Sequence, residues 1–68
     1  MEQLFKITAG RLKTEFSVVG VADAAHGTTK FRGLINDVPF CQNDSYEIVR
    51  KRVMRAVELN NYINVGAN

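Results

Sequence analysis

The chain contains one cysteine, one proline, one histidine and no tryptophan. A lone thiol, Cys41, excludes an internal disulfide framework, and with His26 as its only histidine the chain cannot assemble a four-ligand zinc site from cysteine and histidine. No metal and no cofactor are therefore expected. Neither charge sign dominates: nine Lys/Arg against seven Asp/Glu leave a net charge of +2, modest for a protein that neutralises many phosphates. No apolar run approaches the roughly 20 residues of a membrane span. The start, Met1-Glu2-Gln3-Leu4-Phe5-Lys6, lacks the basic region and long apolar stretch of a secretory signal. Together with the lone thiol, these absences predict a cytoplasmic protein without a membrane partner.

Catalytic groups are equally sparse. Gly10, Gly20, Gly27 and Gly33 stand singly, so no glycine-rich phosphate loop exists. Asp23, Asp37 and Asp44 fall at turn and cap positions that explain them without chemistry. A Cys41–His26 nucleophile and base lacks a third group to orient it, and a cysteine beside Phe40 reads as a small buried hydrophobe. The sequence predicts no enzyme and no catalytic residue.

What is present is 68 residues, 46% of them apolar, enough for one domain over 1–68 and one core. A chain this short buries only about 60% of the surface its unfolded form exposes. Without disulfide or metal, a partner, a second copy or close packing must supply the remainder. The first half carries five bases against three acids; the second half is neutral, but all its bases fall in Arg50-Lys51-Arg52-x-x-Arg55.

The periodicity changes once, near residue 40. Before it, alternation predicts strands at 4–8, 14–22 and 28–35, separated by turns at Ala9-Gly10-Arg11, Asp23 to Gly27 and Asn36-Asp37. Gly20 marks a bulge or a close backbone approach. Residues 38–40 are extended, and Pro39 keeps them from a central strand because it lacks a donor. Asn43, Asp44 and Ser45 all suit a helix N-cap, and Asp44-x-x-Glu47 resembles a capping box. At 100° per residue, Tyr46, Val49, Val53, Ala56 and Val57 form one stripe that should lie on the sheet. Asn60-Asn61 is the expected stop, and residues 62–65 suit a short edge strand. The expected fold class is α+β, a small three-stranded antiparallel sheet in β-β-β-α order packed on one helix, with that C-terminal strand as an optional addition.

Two surfaces stand out. On the helix, Ile48, Lys51, Arg52, Arg55, Leu59 and Tyr62 point away from the apolar stripe. A merely solvated face would pair Glu47 with Lys51 and Arg55 with Glu58, but it needs neither Ile48 nor Leu59. Arginines among aliphatics fit a protein interface better than a phosphate-binding surface. On the sheet, Phe5, Ile7, Phe16, Val18, Phe31 and Ile35 are expected to face the helix. Alternation then puts Leu4, Lys6, Val19, Val21, Lys30, Arg32 and Leu34 on the opposite side, three cations among aliphatics. One helix cannot cover both sides, so this face invites a protein, a second copy or nucleic acid. Phe31-Arg32-Gly33 is too short of exposed aromatics for an RNA-reading sheet of the RRM kind.

The reading that follows is a small non-catalytic binding or regulatory protein, an inhibitor or adaptor that contacts another protein. Its size and lack of catalytic groups also suit a virus- or mobile-element-encoded inhibitor. The alternative is a nucleic-acid-binding module using the basic sheet face or the arginine-rich helix.

Overall fold

A computed structural model describes the backbone of residues 2–66 and the side chains of residues 2–60. The fold is α+β: β1 (Glu2–Ala9), β2 (Thr14–Asp23), β3 (Thr28–Ile35) and β4 (Val38–Asn43) form one antiparallel sheet in the order β1-β2-β3-β4. The helix α1 (Tyr46–Gly66) then returns across one side of it. Among the described residues, no helix is long and apolar enough to cross a membrane.

The sheet has four strands, not three. The extended segment at Val38-Pro39-Phe40 continues to Asn43 and pairs with β3. Pro39 is accommodated because β4 is an edge strand, where a missing donor costs no ladder bond on the outer side. The expected strand over 62–65 does not form. The helix runs through Asn60-Asn61 to Gly66, since asparagine inside a helix costs less than 1 kcal/mol and β4 already occupies the edge of β3.

The turns follow from local chemistry. Asn36 and Asp37 both have positive φ (49° and 66°), as a two-residue type I′ hairpin requires, and asparagine and aspartate tolerate that region best after glycine. Asn36 also ties the turn to β2: its N–H donates to the Glu15 carbonyl at 2.8 Å, and its Oδ1 accepts from Glu15 N at 2.9 Å. We expect Asn36→Ala to lose about 2 kcal/mol, half from the left-handed backbone and half from the side-chain bond. Asn36→Gly should lose only the bond, about 1 kcal/mol, and urea titrations of the two variants separate the contributions.

The helix starts at Ser45, not at Asp44. The Ser45 carbonyl accepts the first helical bond from Val49 N at 3.3 Å, and Asn43 Oδ1 accepts from Ser45 N at 2.9 Å to turn the chain into it. Asp44 therefore lies one residue outside the cap, which removes the Asp44–Glu47 box.

The stripe on α1 lies on the sheet as its spacing requires. Val49 and Val53 are completely buried, Val57 nearly so, and they close on Phe16 and Val18 of β2. Phe5, Ile7, Phe31, Ile35, Tyr46 and Ala56 pack around them, with Tyr46 edge-on to Phe31 at 5.7 Å between ring centroids. The closest approach is at Gly33, buried on β3: an added Cβ there would lie 2.9 Å from Val53 Cγ2. Gly20, where a close approach was expected, has only ordinary contacts; the irregularity beside it lies in β1, where the register slips between Gln3 and Phe5. The slip turns Leu4 to the helix side, with its Cδ1 3.6 Å from where a Gly20 Cβ would sit, and not to the opposite face.

Candidate functional site

The two surfaces singled out in the sequence differ sharply once folded. On the sheet side away from the helix, cross-strand pairing brings Lys6 beside Ser17, Arg32 beside Val19 and Lys30 beside Val21. The three cations and the aliphatics do share one face. Yet Val19 is only 6% exposed and Leu34 only 7%, against the expectation of an open greasy surface. Val19 is enclosed between Gln3 and Arg32 on its neighbouring strands, and Leu34 between Ser17 and Pro39. Val21 is half-buried. Two of the three cations are also engaged: Lys6 Nζ lies 3.6 Å from Glu15 Oε1, and Arg32 donates from Nε and Nη2 to Gln42 Oε1 at 3.2 and 3.1 Å. This face forms a second small apolar layer under a polar cover.

Cys41 and His26 do not meet. Cys41 sits beside Gly33 against the core, while His26 is in the β2–β3 turn, beyond the far end of β3 and about 17 Å away at ~3.4 Å per residue. His26 Nδ1 instead lies 2.9 Å from Asp23 Oδ2 within its own turn.

The helix surface remains open. Ile48, Lys51, Arg52, Arg55 and Leu59 are all exposed, with Leu59 at 54%; the Tyr62 side chain lies outside the described residues. The local pairs that would make this a plain solvated face are absent: among the described residues, neither Glu47–Lys51 nor Arg55–Glu58 comes within ion-pair distance. Arg50 lies on the other flank, its guanidinium 5.1 Å from the centroid of the Phe5 ring on β1. Compared with protein-family models, curated proteins and solved structures, the chain matches none. Function must therefore be argued from these side chains.

Helix geometry defines the flank. With 3.6 residues per turn, Ile48, Arg52, Arg55 and Leu59 fall within about 60° of one another, while Glu47 and Glu58 lie about 120–140° from Arg52 but only about 60–80° from Arg55. Because Arg50 reaches β1 on one side, Arg52 and Leu59 lean to the other side, over β4. There β4 contributes two further exposed apolar residues, Val38 at 64% and Phe40 at 41%. Val38 pairs with Ile35 and so points to the helix side; the Phe40 ring is on that side too, with Cε1 3.2 Å from a Cβ built on Gly33. Neither was among the residues expected from sequence. The available signal was an uncharged edge segment, Val38 to Asn43, ending immediately before the helix.

A concavity of about 690 Å³ is lined by helix side chains alone, with Glu47 and Glu58 beside Arg50, Lys51, Arg52 and Arg55. One convex helix cannot enclose a small molecule, so this is a furrow between long side chains rather than a ligand pocket.

Proposed function

We propose that the protein is a non-catalytic binding module, an inhibitor or adaptor, that docks on another protein through the outer flank of α1. The observation that carries this reading is the composition of that flank. Lys51, Arg52 and Arg55 have no carboxylate partner among the described residues, and they are interleaved with exposed Ile48 and Leu59. Arginine beside aliphatic anchors is the make-up of protein interface centres, where the guanidinium finds an acid and the aliphatics lose water together. A phosphate-binding helix has no use for Ile48 and Leu59, whose exposure costs free energy until something apolar covers them.

The test compares immobilised wild-type protein with the Arg52→Glu/Arg55→Glu double variant in capturing partners from the source cells, the captured chains being identified by mass. Both positions are exposed, so thermal unfolding should barely change while capture of a specific protein is lost. Capture that survives the double charge reversal rules the helix flank out. If nucleic acid is retained instead, with affinity falling steeply on a log–log plot against salt, the protein reading is wrong and phosphate contact replaces it.

A further inference from the structure

The helix lies on one side of the sheet and the polar cover on the other, which leaves the two edges. The hydrogen bonds at Asn36 fix which backbone groups those edges present. Asn36 N–H donates to the Glu15 carbonyl, and Glu15 N–H donates to Asn36 Oδ1, so both backbone groups of Glu15 point toward β3. In an antiparallel ladder this direction alternates from one residue to the next. Glu15 is paired with Thr8 and exchanges no bonds with it, so the amides and carbonyls of Thr8 and Lys6 point out of the sheet. From Phe5 to Ala9 the register with β2 is regular, the slip in β1 lying before Phe5.

The two edges differ. Ser17 points toward β3 as Glu15 does, so its partner Leu34 turns its backbone groups away from β4. Pro39, paired with Leu34, therefore faces outward, where it has no hydrogen to donate, and the slip between Gly33 and Leu34 bulges Phe40 beside it. That edge is closed to a strand. On β1 the residue that would guard the edge is Lys6, but its Nζ leans inward to Glu15 Oε1 at 3.6 Å.

We infer that the open edge of β1 pairs antiparallel with β1 of a second copy about a two-fold axis at Ile7, so that one sheet runs through both. The residues select this register. Opposite residues share a face, so the axis passes through a residue and not between two. At Lys6 it would oppose the two lysines directly. At Thr8 it would draw in Gly10, whose φ of 78° belongs to the turn. At Ile7, Lys6 of each copy lies opposite Thr8 of the other, with no like charges opposed, and each such pair exchanges two backbone hydrogen bonds. On the helix side Ile7 meets its own equivalent, and Phe5 meets Ala9 of the second copy. All three are partly buried residues at the margin of the core, so the pairing covers apolar surface that one helix leaves in water. Ala9 is small enough to leave room for the Arg50 guanidinium, 5.1 Å from the Phe5 ring centroid. Because α1 closes on β2 and β3, the two helices stand about 20 Å apart at ~4.8 Å per strand and do not collide. The contact leaves the outer flank of α1 free, and it neither requires nor replaces the docking proposed above.

Sedimentation equilibrium over a range of concentrations tests the pairing, and amide hydrogen exchange locates it. The mass should rise from 7.6 kDa toward twice that value, with the Lys6 and Thr8 amides gaining protection as it does. Thr8→Pro removes an outward donor without touching the ladder to β2, and should weaken association by roughly tenfold or more. Thr8→Lys sets two lysines opposite each other in both pairs and should weaken it by roughly tenfold. Within its own chain the new lysine faces Glu15, so the fold is kept even where proline is not tolerated. Arg52→Glu with Arg55→Glu should associate as wild type does. A chain that stays at 7.6 kDa at millimolar concentration overturns the proposal. So does a dimer whose Lys6 and Thr8 amides exchange as fast as in the monomer, or a Thr8→Lys variant that associates as tightly as wild type.

Discussion

Gly33→Ala is expected to destabilise the domain by about 3 kcal/mol, whereas Gly20→Ala, on the same side of the sheet, should change stability by less than 1 kcal/mol. Both glycines are buried in strands without positive φ, so the contrast does not come from backbone freedom. It comes from space. A Cβ on Gly33 would stand 2.6 Å from Cys41 Sγ, 2.9 Å from Val53 Cγ2 and 3.2 Å from Phe40 Cε1, and none of these is the far end of a long flexible side chain. Relief requires the helix to lift or β4 to shift, and either opens contacts around Val49 and Val53, which are wholly buried. On Gly20 the nearest atoms are at 3.6 and 3.7 Å, an ordinary contact that adds packing. For a domain of this size the Gly33 change corresponds to a fall in melting temperature of roughly 10–20 °C. Total stability is only about 3–10 kcal/mol at this length, so partial unfolding at 37 °C is within reach. Scanning calorimetry of both variants measures the contrast. Adding Cys41→Ala to Gly33→Ala should recover part of the loss, because it removes the nearest obstructing atom. Equal melting temperatures for the two glycine variants would show that the helix does not sit on Gly33 as described.

The seat at Gly33 also marks where the sequence stopped being legible. The helix and its buried stripe could be read because Tyr46, Val49, Val53 and Val57 repeat at helical spacing, a local property. The type I′ turn could be read because Asn36-Asp37 carries its own conformational preference. Which glycine receives the helix is a question of register between distant segments, and alternation treats Gly20 and Gly33 alike. β4 escaped for a related reason: Pro39 argues against a strand in general, and only a position at the sheet edge removes the objection. The true helix end was obscured because Asn60-Asn61 resembles a stop, while a few tenths of a kcal/mol per asparagine do not halt a helix already docked.

The candidate site divides along the same line. Ile48, Lys51, Arg52, Arg55 and Leu59 were legible because exposure on a helix follows from angular position relative to its buried stripe. Val38 and Phe40 were not, since they join that flank only through the course of β4 beside α1. The opposite sheet face was misjudged in the other direction. Period-2 alternation correctly assigned Val19, Val21 and Leu34 to the side without a helix, but alternation says which way a side chain points and not what shields it. Flanking strands and long polar side chains bury aliphatics on a twisted sheet without a second layer.

That shielding leads to the second large effect. Leu34→Ala is expected to destabilise the domain by about 2–3 kcal/mol, the range of a core leucine, although no helix lies over it. Leu34 is as buried as Val57 beneath the helix, and its neighbours Ser17 and Pro39 are too short to refill the space of a missing isobutyl group. Leu59→Ala on the open helix flank provides the reference; with more than half its surface already in water, it should cost less than 1 kcal/mol. Urea unfolding of the two variants at equal m-value decides the matter, since a changed m-value would signal an altered denatured state instead. A loss below 1 kcal/mol for Leu34→Ala would mean that the face is open in solution and available to a partner. The expected larger loss has a consequence for mapping the interface. Substitutions at Val19 or Leu34 would reduce binding simply by unfolding the protein, so the sheet face must be tested at Lys30 and Arg32, whose charged ends lie above that buried layer. Lys30→Glu with Arg32→Glu should leave partner capture intact if the helix flank is the binding surface, and only Arg52→Glu with Arg55→Glu should remove it.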